Sequence, residues 1–405
     1  MTTPHGVGLR DVIVVGGSVA GIRTAMALRR RGYDGHIRVI SAEAAPHYYR
    51  PSLSKAYLSD EQSAQDLALP IPDDLGLELW SAASATALDS VGKRLTVRGS
   101  DDTVEFGYDG LVIASGLTPK VLHLSELAGI HYVRELSEAR VLRQELKSRP
   151  RVVVIGGGLI GCEVAATCRK LGLDVTIVEA ADHLLEPVLG ETAGRLVTEL
   201  HREHGVQVRT GVGLAGIAGQ SQVEAVDLST GERLPADLVV VAVGARPRTD
   251  WLEGSGLQVR DGVVCAANLR ALGADSVVAV GDVARVEDSR GGGSTRIEHW
   301  ENAVRQADTA ARTLLEGPGS PPFTGHTTFW STQHGLQLHV SGRPAATDEL
   351  RLAEGRFEDR CAVATYHCGE RVSAILALNQ PQRLRAYRHL LDTPDRATAQ
   401  QSSPI

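Results

Sequence analysis

Hydrophobic residues are arranged along the chain in two segments that share one order of elements. The first, residues 11–43, begins with the apolar run DVIVV, passes through GGSVAG into a helical pattern, and ends in the strand-like HIRVI. The second, residues 151–180, repeats this order with RVVVI, GGGLIG and DVTIV. Uninterrupted Val/Ile runs are typical of parallel strands buried on both faces. Each segment is therefore predicted to form a β-α-β unit, and two such units predict two mononucleotide-binding folds.

Further apolar runs extend this pattern towards the C-terminus. Residues 108–120 and 236–248 are matching strands that end in small residues and Pro, and 276–286 is a strand that ends at Gly281-Asp282. Beyond the Gly/Pro-rich boundary at 316–322, short alternating segments predict an antiparallel sheet, followed by a helix over 380–392. The predicted fold class is α/β, with two Rossmann-like dinucleotide-binding domains and a C-terminal α+β domain that contains an antiparallel sheet.

Composition excludes several classes of protein. The 405 residues are 42% hydrophobic and 22% charged, with a net charge of -7, which argues against a nucleic-acid binder. No apolar run is long enough to predict membrane insertion. The five cysteines are scattered, no two form C-x-x-C, and no metal site is predicted. Such cysteines are typical of a protein from the reducing cytoplasm.

The glycine motif at 156–161 is the strongest chemical signal. Gly156, Gly158 and Gly161 follow a predicted strand and open a predicted helix, as a dinucleotide pyrophosphate requires. Glu179 ends the next strand, where a carboxylate suits ribose hydroxyls and repels a 2′-phosphate. NADH is therefore favoured over NADPH. The alternative is a strand–turn–helix that binds no ligand.

The motif at 16–21 departs from this pattern. It keeps Gly16 and Gly21 but has Ser18 in place of the middle glycine, and the usual acid position holds Ala42, with Glu43 one residue later. Asp282, at the end of a buried strand, suits flavin hydroxyls but is also a good helix N-cap. Two dinucleotide sites in one chain indicate electron transfer between two cofactors, most simply NADH as hydride donor and FAD as acceptor.

Several ordered motifs together resemble the FAD-dependent NADH:ferredoxin reductases, which include the putidaredoxin and rubredoxin reductases and belong to the wider pyridine-nucleotide–disulfide reductase fold. The resemblance extends from Asp11 to about Asp392. It is carried by VVGGSVAG, YYRPSLSKAYL, VVVIGGGLIGCEVAA, AVGARP, AVGDVARV, RIEHWENAVRQ and FWSTQHGLQLHVSG. Thr332 and His334 stand where many relatives have Asp and Tyr.

The resemblance also indicates the electron acceptor. Disulfide-using members carry their redox cysteines near the segment YYRPSLSK, whereas the first cysteine of this chain is Cys162. A disulfide reductase is therefore not expected. The resemblance implies hydride transfer from NADH to FAD and single-electron transfer to a [2Fe–2S] ferredoxin, which supplies a terminal oxygenase of the cytochrome type. The acidity expected of a ferredoxin predicts a basic docking face, with arginines near 285–305 and 343–356 as candidates.

Individual roles follow from the resemblance. Lys55 is expected near flavin N5 and Glu163 beside the nicotinamide, where it can pair with Lys55; these are the implied catalytic residues. The pyrophosphate of FAD is expected against Gly16, Gly17, Ser18, Ala20 and Gly21, and its adenosine ribose against Glu43. Further implied FAD contacts are Arg50, Lys55, Ala85, Ala114, Ser115, Gly116, Arg134, Asp282, Trp300 and Trp330. Implied NAD contacts are Gly156, Gly158, Ile160, Gly161, Glu179 and Gly244.

These inferences predict three domains. FAD is assigned to residues 1–110 with 245–318, NADH to 111–244, and a flavin-covering role to 319–405. Two other functions remain open from the sequence. One is an NADH oxidase or diaphorase with the same cofactors and a different acceptor. The other is a redox-sensing protein that binds NADH without rapid turnover.

Overall fold

The computed structural model of the chain describes residues 8–45, 47–122, 127–287 and 293–392. These residues form two compact units. The first consists of the described residues within 1–49, 65–118 and 245–325, and the second of those within 50–64, 119–244 and 326–405. The α-helices in chain order are α1 (Val19–Arg30), α2 (Leu136–Leu146), α3 (Leu159–Lys170), α4 (Glu186–Glu203), α5 (Trp300–Glu316) and α6 (Leu384–Tyr387).

A five-stranded parallel sheet is the centre of the first unit. Its strands, in spatial order, are Val277–Ala279, Gly110–Ile113, Asp11–Val15, His36–Ile40 and Leu77–Trp80. The central strands are buried on both faces, as their Val/Ile runs predict. Helices α1 and α5 contribute to the core on one face, and the hairpin strands described next contribute to the core on the other.

Three smaller sheets complete the first unit. One is antiparallel, with strands Ser84–Asp89, Arg94–Arg98 and Thr103–Gly107. Another contains Val263–Cys265, Ala284–Glu287 and Ser294–Arg296, and a two-stranded sheet pairs Leu117–Pro119 with Ala245–Pro247. The strands at 84–107 were not predicted from the sequence, because a bulge between Ala85 and Ala87 interrupts their alternation.

The second unit contains a matching parallel sheet. Its strands, in spatial order, are Gln207–Arg209, Val175–Val178, Val152–Ile155, Leu238–Val241 and Ile130–His131. One face is covered by a three-stranded antiparallel sheet of Leu214–Gly219, Val223–Leu228 and Arg233–Pro235. The other face shares one hydrophobic core with α3, α4 and the C-terminal sheet.

The C-terminal sheet is antiparallel, as predicted, and has five strands. They are, in spatial order, Thr328–Gln333, Leu336–Gly342, Arg371–Leu378, Cys361–Cys368 and Glu349–Arg356. The predicted helix over 380–392 is helical from Pro381 to Asp392, but only Leu384–Tyr387 is α-helical, and Pro381–Arg383 and Arg388–Asp392 are 3₁₀-helical. This segment is largely exposed and is anchored by buried Leu384 and Leu391, so few contacts favour one continuous α-helix.

The contact-defined units differ from the three predicted domains. The segment 50–64, which the prediction includes in the first domain, lies in the second unit, and residues 326–392 share that unit with the second parallel sheet. Residues 1–7 and 393–405, at the ends of the predicted domains, lie outside the described residues. Across the described ranges, none of the helices is long and apolar enough to cross a membrane.

Candidate functional site

The first glycine turn brings backbone atoms into close approach. Gly16 has φ +126°, and a Cβ at this position would collide with the Ala114 carbonyl. A Cβ at Gly21 would collide with the Gly16 carbonyl. Ser18, the N-cap of α1, has φ -93° and makes no capping hydrogen bond through its hydroxyl. The turn therefore presents the N-terminus of α1, an environment that fits the pyrophosphate of FAD.

Two other predicted FAD segments lie against this turn. The carbonyl of Ala114 contacts the Gly16 position, and Ala114 begins the turn that continues through Ser115 and Gly116. Gly281, which precedes Asp282, has φ +76°, and a Cβ there would lie 2.8 Å from the Ala20 Cβ. Its N–H donates to Gln306 Oε1 at 2.8 Å. The first unit therefore brings Asp282 beside the start of α1.

Strand register makes Ser41, and not Ala42 as expected, the residue of the first unit that matches Glu179. The register Val15↔Ile40 places Ser41 directly after the second strand, and a Cβ on Gly17 would lie 2.7 Å from the Ser41 Cβ. Glu43 lies two residues further on, and its Oε2 accepts a hydrogen bond from Tyr48 Oη at 2.6 Å. The ribose role of Glu43 stays a prediction.

Two other predicted FAD residues lie at the edges of this site. The N–H groups of Ala82 and Ala83 donate to the carbonyls of residues 43 and 41, which places Ala85 shortly beyond them. Trp300 begins α5, and its ring meets Tyr49 edge-on with centroids 5.0 Å apart.

The second glycine turn repeats the first with an intact motif. Gly156 has φ +105°, and a Cβ there would lie 2.5 Å from the Ala242 carbonyl oxygen. A Cβ on Gly161 would collide with the Gly156 carbonyl. Gly158 is the N-cap of α3, and a Cβ there would meet no atom within 4 Å. This open space at a helix N-terminus fits the approach of a dinucleotide pyrophosphate.

Glu179 is bonded to this second turn. Its Oε2 accepts the Gly157 N–H at 2.5 Å, and its Oε1 accepts the Ala181 N–H at 2.8 Å. Each carboxylate oxygen can accept a further hydrogen bond, so ribose hydroxyls remain compatible with this geometry. Ile160 is 43% exposed near the helix start. Gly244 has φ +96°, and its carbonyl accepts the Lys120 N–H at 3.0 Å.

Lys55 and Glu163 form an ion pair within the second unit, in agreement with the sequence prediction that they can pair. Lys55 Nζ lies 2.5 Å from Glu163 Oε2, with the two side chains 22% and 3% exposed. Ser54 Oγ donates to the same oxygen at 2.5 Å, and Ser331 Oγ donates to Oε1 at 2.7 Å. Neither serine was predicted from the sequence, although Ser54 lies within YYRPSLSKAYL and Ser331 within FWSTQHGLQLHVSG.

The second unit also contains three other predicted FAD residues, Arg50, Arg134 and Trp330. The Arg50 guanidinium donates to the Arg134 carbonyl, so these two segments meet through the backbone of Arg134. Trp330 precedes Ser331 on one strand, so its side chain points to the opposite face of the C-terminal sheet. Trp330 therefore does not join the Lys55–Glu163 pair.

The cysteines are free thiols, and three are deeply buried. Burial raises the pKa of Cys162 well above its usual value and the pKa of Cys168 and Cys265 to about 12. Because the thiolate is the reactive form, these three thiols are unsuited to redox exchange. Within the described ranges, no group of three or more His, Cys, Asp or Glu side chains could hold a metal ion.

Comparison with known proteins identifies the family. A family model described as pyridine nucleotide-disulphide oxidoreductase matches residues 10–307, and one described as reductase C-terminal matches residues 328–403. The chain is 34% identical over 385 residues to the ferredoxin–NAD(+) reductase subunit of the benzene 1,2-dioxygenase system of Pseudomonas putida. This alignment covers 94% of this chain and 92% of that protein.

Solved structures agree with this assignment. Putidaredoxin reductase, in its covalent complex with putidaredoxin, matches with a TM-score of 0.88 and 32% identity over 95% of this chain and 93% of that one. The ferredoxin reductase for the CYP199A2 system of Rhodopseudomonas palustris matches with a TM-score of 0.89 and 31% identity, covering 95% and 96%.

These similarities confirm the predicted fold class and the predicted resemblance. They also confirm an enzyme whose cofactors are FAD and NAD(H). The chain belongs to the pyridine nucleotide-disulphide oxidoreductases, as a member that also carries the reductase C-terminal domain.

Proposed function

We propose that this protein transfers hydride from NADH to FAD and passes single electrons to a [2Fe–2S] ferredoxin. That ferredoxin in turn supplies a terminal oxygenase of the cytochrome type in the cytoplasm. The observation that carries the proposal is the Lys55–Glu163 ion pair, whose carboxylate is buried, located where the resemblance places the redox cysteines of disulfide-using relatives. A charged pair at this place cannot relay electrons as thiols do, so the reduced flavin must pass its electrons directly to the acceptor.

The residues divide between the two cofactors. The first glycine turn, Asp282 and the predicted flavin contacts of both units are assigned to FAD, and the second glycine turn with Glu179 to NADH. Bound FAD supplies a two-electron hydride acceptor that can release its electrons singly. Lys55 stabilises negative charge that develops during hydride transfer, and Glu163 holds Lys55 in place and orients the nicotinamide carboxamide.

The domain roles follow the same division. Residues 1–110 with 245–318 are proposed to bind FAD, 111–244 to bind NADH, and 319–405 to cover the flavin.

Similar proteins support the choice of acceptor. The benzene dioxygenase relative is named a ferredoxin–NAD(+) reductase, and putidaredoxin reductase was solved in complex with putidaredoxin. One NADH and two oxidised ferredoxins give NAD⁺, two reduced ferredoxins and one proton. Relatives serve a dioxygenase system and a CYP199A2 system. The assignment to a cytochrome-type oxygenase is therefore more specific than the assignment to a ferredoxin acceptor.

The candidate docking arginines have acidic neighbours. Arg285 and Arg296 both pair with Asp261, and Arg351 pairs with Glu349. These arginines therefore contribute less net positive charge than the sequence indicates. If electrostatic docking contributes, ferredoxin reduction should slow as ionic strength rises. A rate of ferredoxin reduction that does not depend on salt would contradict electrostatic docking but not the proposed function.

Steady-state turnover with a panel of purified ferredoxins tests the function. Fast, saturable NADH oxidation with one ferredoxin and little oxygen consumption supports the proposal. Equal rates with oxygen or quinone and with every ferredoxin would instead identify an NADH oxidase or diaphorase. Tight NADH binding with negligible turnover towards all acceptors would identify a redox sensor.

A further inference from the structure

A chain of side-chain hydrogen bonds leads away from Glu163 through the C-terminal sheet to α4. Ser331 Oγ lies 2.7 Å from Glu163 Oε1, and Gln333 Nε2 lies 3.0 Å from Ser331 Oγ. Gln333 Oε1 lies 3.0 Å from His201 Nε2, and His201 Nδ1 lies 3.2 Å from His334 Nε2. The first four side chains are each exposed by 3% or less. The proposed function uses only Glu163 among them.

The charge on Glu163 fixes the direction of every donor in this chain. An ionised carboxylate only accepts hydrogen bonds, and a serine hydroxyl has one proton, so Ser331 donates to Glu163. Gln333 must then turn its NH₂ group towards Ser331 and its carbonyl towards His201. His201 consequently carries its proton on Nε2 and accepts at Nδ1 from His334.

The outer end of the chain is built by a tight turn. His334 and Gly335 have φ +49° and +82° and connect two paired strands, as in a two-residue hairpin of type I′. The His334 ring contacts His201 edge-on and stacks on His204, with centroids 4.6 Å and 4.3 Å apart. His334 is therefore held between the buried chain and the surface.

The two imidazoles of this hydrogen-bond chain, those of His201 and His334, are neutral at pH 7. Burial lowers the pKa of His201 to about 4; nearby His204 acts in the same direction, and the hydrogen bond with Gln333 opposes it. Burial also lowers the pKa of His334 to about 3, with further lowering by His201, His204, Arg169 and Arg360. Arg360 itself pairs with Glu203. A neutral imidazole offers one donor and one acceptor, as the chain requires.

We propose that Ser331, Gln333 and His201 are positioning residues that hold the Glu163 carboxylate in its orientation towards Lys55. Their chain ends on Oε1, whereas Lys55 and Ser54 donate to Oε2. Each carboxylate oxygen therefore has its own donors. The inference rests on the proposed function, which assigns Lys55 and Glu163 to hydride transfer.

The tautomer of His201 reports on the chain without any turnover. In ¹⁵N-histidine-labelled protein at pH 7, long-range ¹H–¹⁵N spectra should show His201 protonated on Nε2 alone. The chain has 14 histidines, and the signals lost in His201→Gln identify this one. In Ser331→Ala, Gln333 is no longer held by Ser331 and can present its NH₂ to His201, so both tautomers should appear. This measurement needs neither NADH nor ferredoxin.

Flavin reduction by NADH in stopped flow provides the second readout. A hydrogen bond to a charged group is among the stronger ones, so its loss frees the Glu163 carboxylate to turn away from Lys55. Ser331→Ala should therefore slow flavin reduction about 10-fold. Ser331→Thr keeps the hydroxyl and should restore much of the rate. Ser148→Ala is the matched control, because it makes the same change at an exposed serine of the second unit.

Two results would overturn the inference. One is a wild-type His201 that is protonated on Nδ1 or doubly protonated at pH 7, which applies even if Ser331→Ala fails to fold. The other is a Ser331→Ala protein whose His201 tautomer and rate of flavin reduction match those of Ser148→Ala. Failure of every ferredoxin as an acceptor would contradict the proposed function alone, because neither readout includes a ferredoxin.

Discussion

The N–H of Gly157 donates to Glu179 Oε2 at 2.5 Å, which ties the acid at the end of one strand to the middle of the second glycine turn. The register of the first unit places Ser41 at the position that matches Glu179. The two turns thus share a backbone arrangement and differ in charge. We therefore propose that the carboxylate of Glu179 selects the nucleotide bound by the second turn.

Replacing Glu179 should change nucleotide preference. Glu179→Arg removes a ribose acceptor and adds a partner for a 2′-phosphate, so the ratio of kcat/KM for NADH over NADPH should fall by roughly 10- to 100-fold. Steady-state kinetics with both nucleotides measure this ratio. Glu224→Arg makes the same charge change at an exposed position of a neighbouring sheet and should leave the ratio unchanged. An unaltered ratio in Glu179→Arg would remove Glu179 from ribose recognition.

Loss of the Lys55 charge should slow hydride transfer. Lys55→Ala leaves the Glu163 carboxylate, which is 3% exposed, with only serine donors and removes the cation assigned to the flavin. Reduction of bound flavin in stopped flow should slow by roughly 10- to 100-fold. Lys170→Ala removes a lysine that is 64% exposed and pairs with Glu61. Flavin reduction in this control variant should proceed at the wild-type rate. Wild-type kinetics in Lys55→Ala would exclude Lys55 from the mechanism.

The first glycine turn should accept small uncharged residues at position 18. Ser18 has an ordinary extended backbone, so neither Ser18→Gly nor Ser18→Asn strains the turn. Ser18→Asp keeps a good N-cap but adds a negative charge beside the pyrophosphate. FAD titration of the apoprotein should give a Kd raised roughly 10- to 100-fold in Ser18→Asp and changed little in the other two. Equal Kd values for Ser18→Asp and Ser18→Asn would place the pyrophosphate elsewhere.

Stability should fall on the acid side through His201. The pKa of His201 is about 4 in the folded protein, and about 6.5 is usual for an unfolded chain. Between these values the unfolded state binds the extra proton, so the free energy of unfolding falls as pH decreases. From pH 7.5 to 5 this contributes a loss of about 2 kcal/mol.

Denaturant unfolding at the two pH values measures this loss. The drop in unfolding free energy should be smaller in His201→Gln than in the wild type. His36→Gln, which changes an imidazole with 40% side-chain exposure in the other unit, should keep the wild-type drop. The assignment fails if His201→Gln loses as much stability as the wild type.

The sequence predicted the parts of the fold whose signals are local. Val/Ile runs and glycine spacing identified both parallel sheets. Alternation of apolar and polar residues identified the antiparallel C-terminal sheet. The strands at 84–107 were missed, since a bulge interrupts their alternation. The helix predicted over 380–392 is largely 3₁₀-helical rather than one α-helix, because helical periodicity does not show how little of this segment is buried.

The contacts of the candidate site also include some that the sequence predicted and some that it could not. Lys55 and Glu163 lie in motifs that could be compared with relatives, so their pairing was predicted although 108 residues separate them. The bond between Gln333 and His201 joins residues 132 positions apart, and it depends on side-chain orientations that only packing decides. Ser41 was missed as the counterpart of Glu179, because strand register cannot be read from glycine spacing alone.

An anaerobic two-step titration tests the central claim most directly. NADH added to the FAD-loaded protein should bleach the flavin absorbance, and oxidised [2Fe–2S] ferredoxin added next should restore it. Two ferredoxins should be reduced for each NADH consumed. The account is contradicted if NADH leaves the flavin oxidised, or if the reduced flavin persists in the presence of every ferredoxin and is reoxidised only when oxygen is admitted.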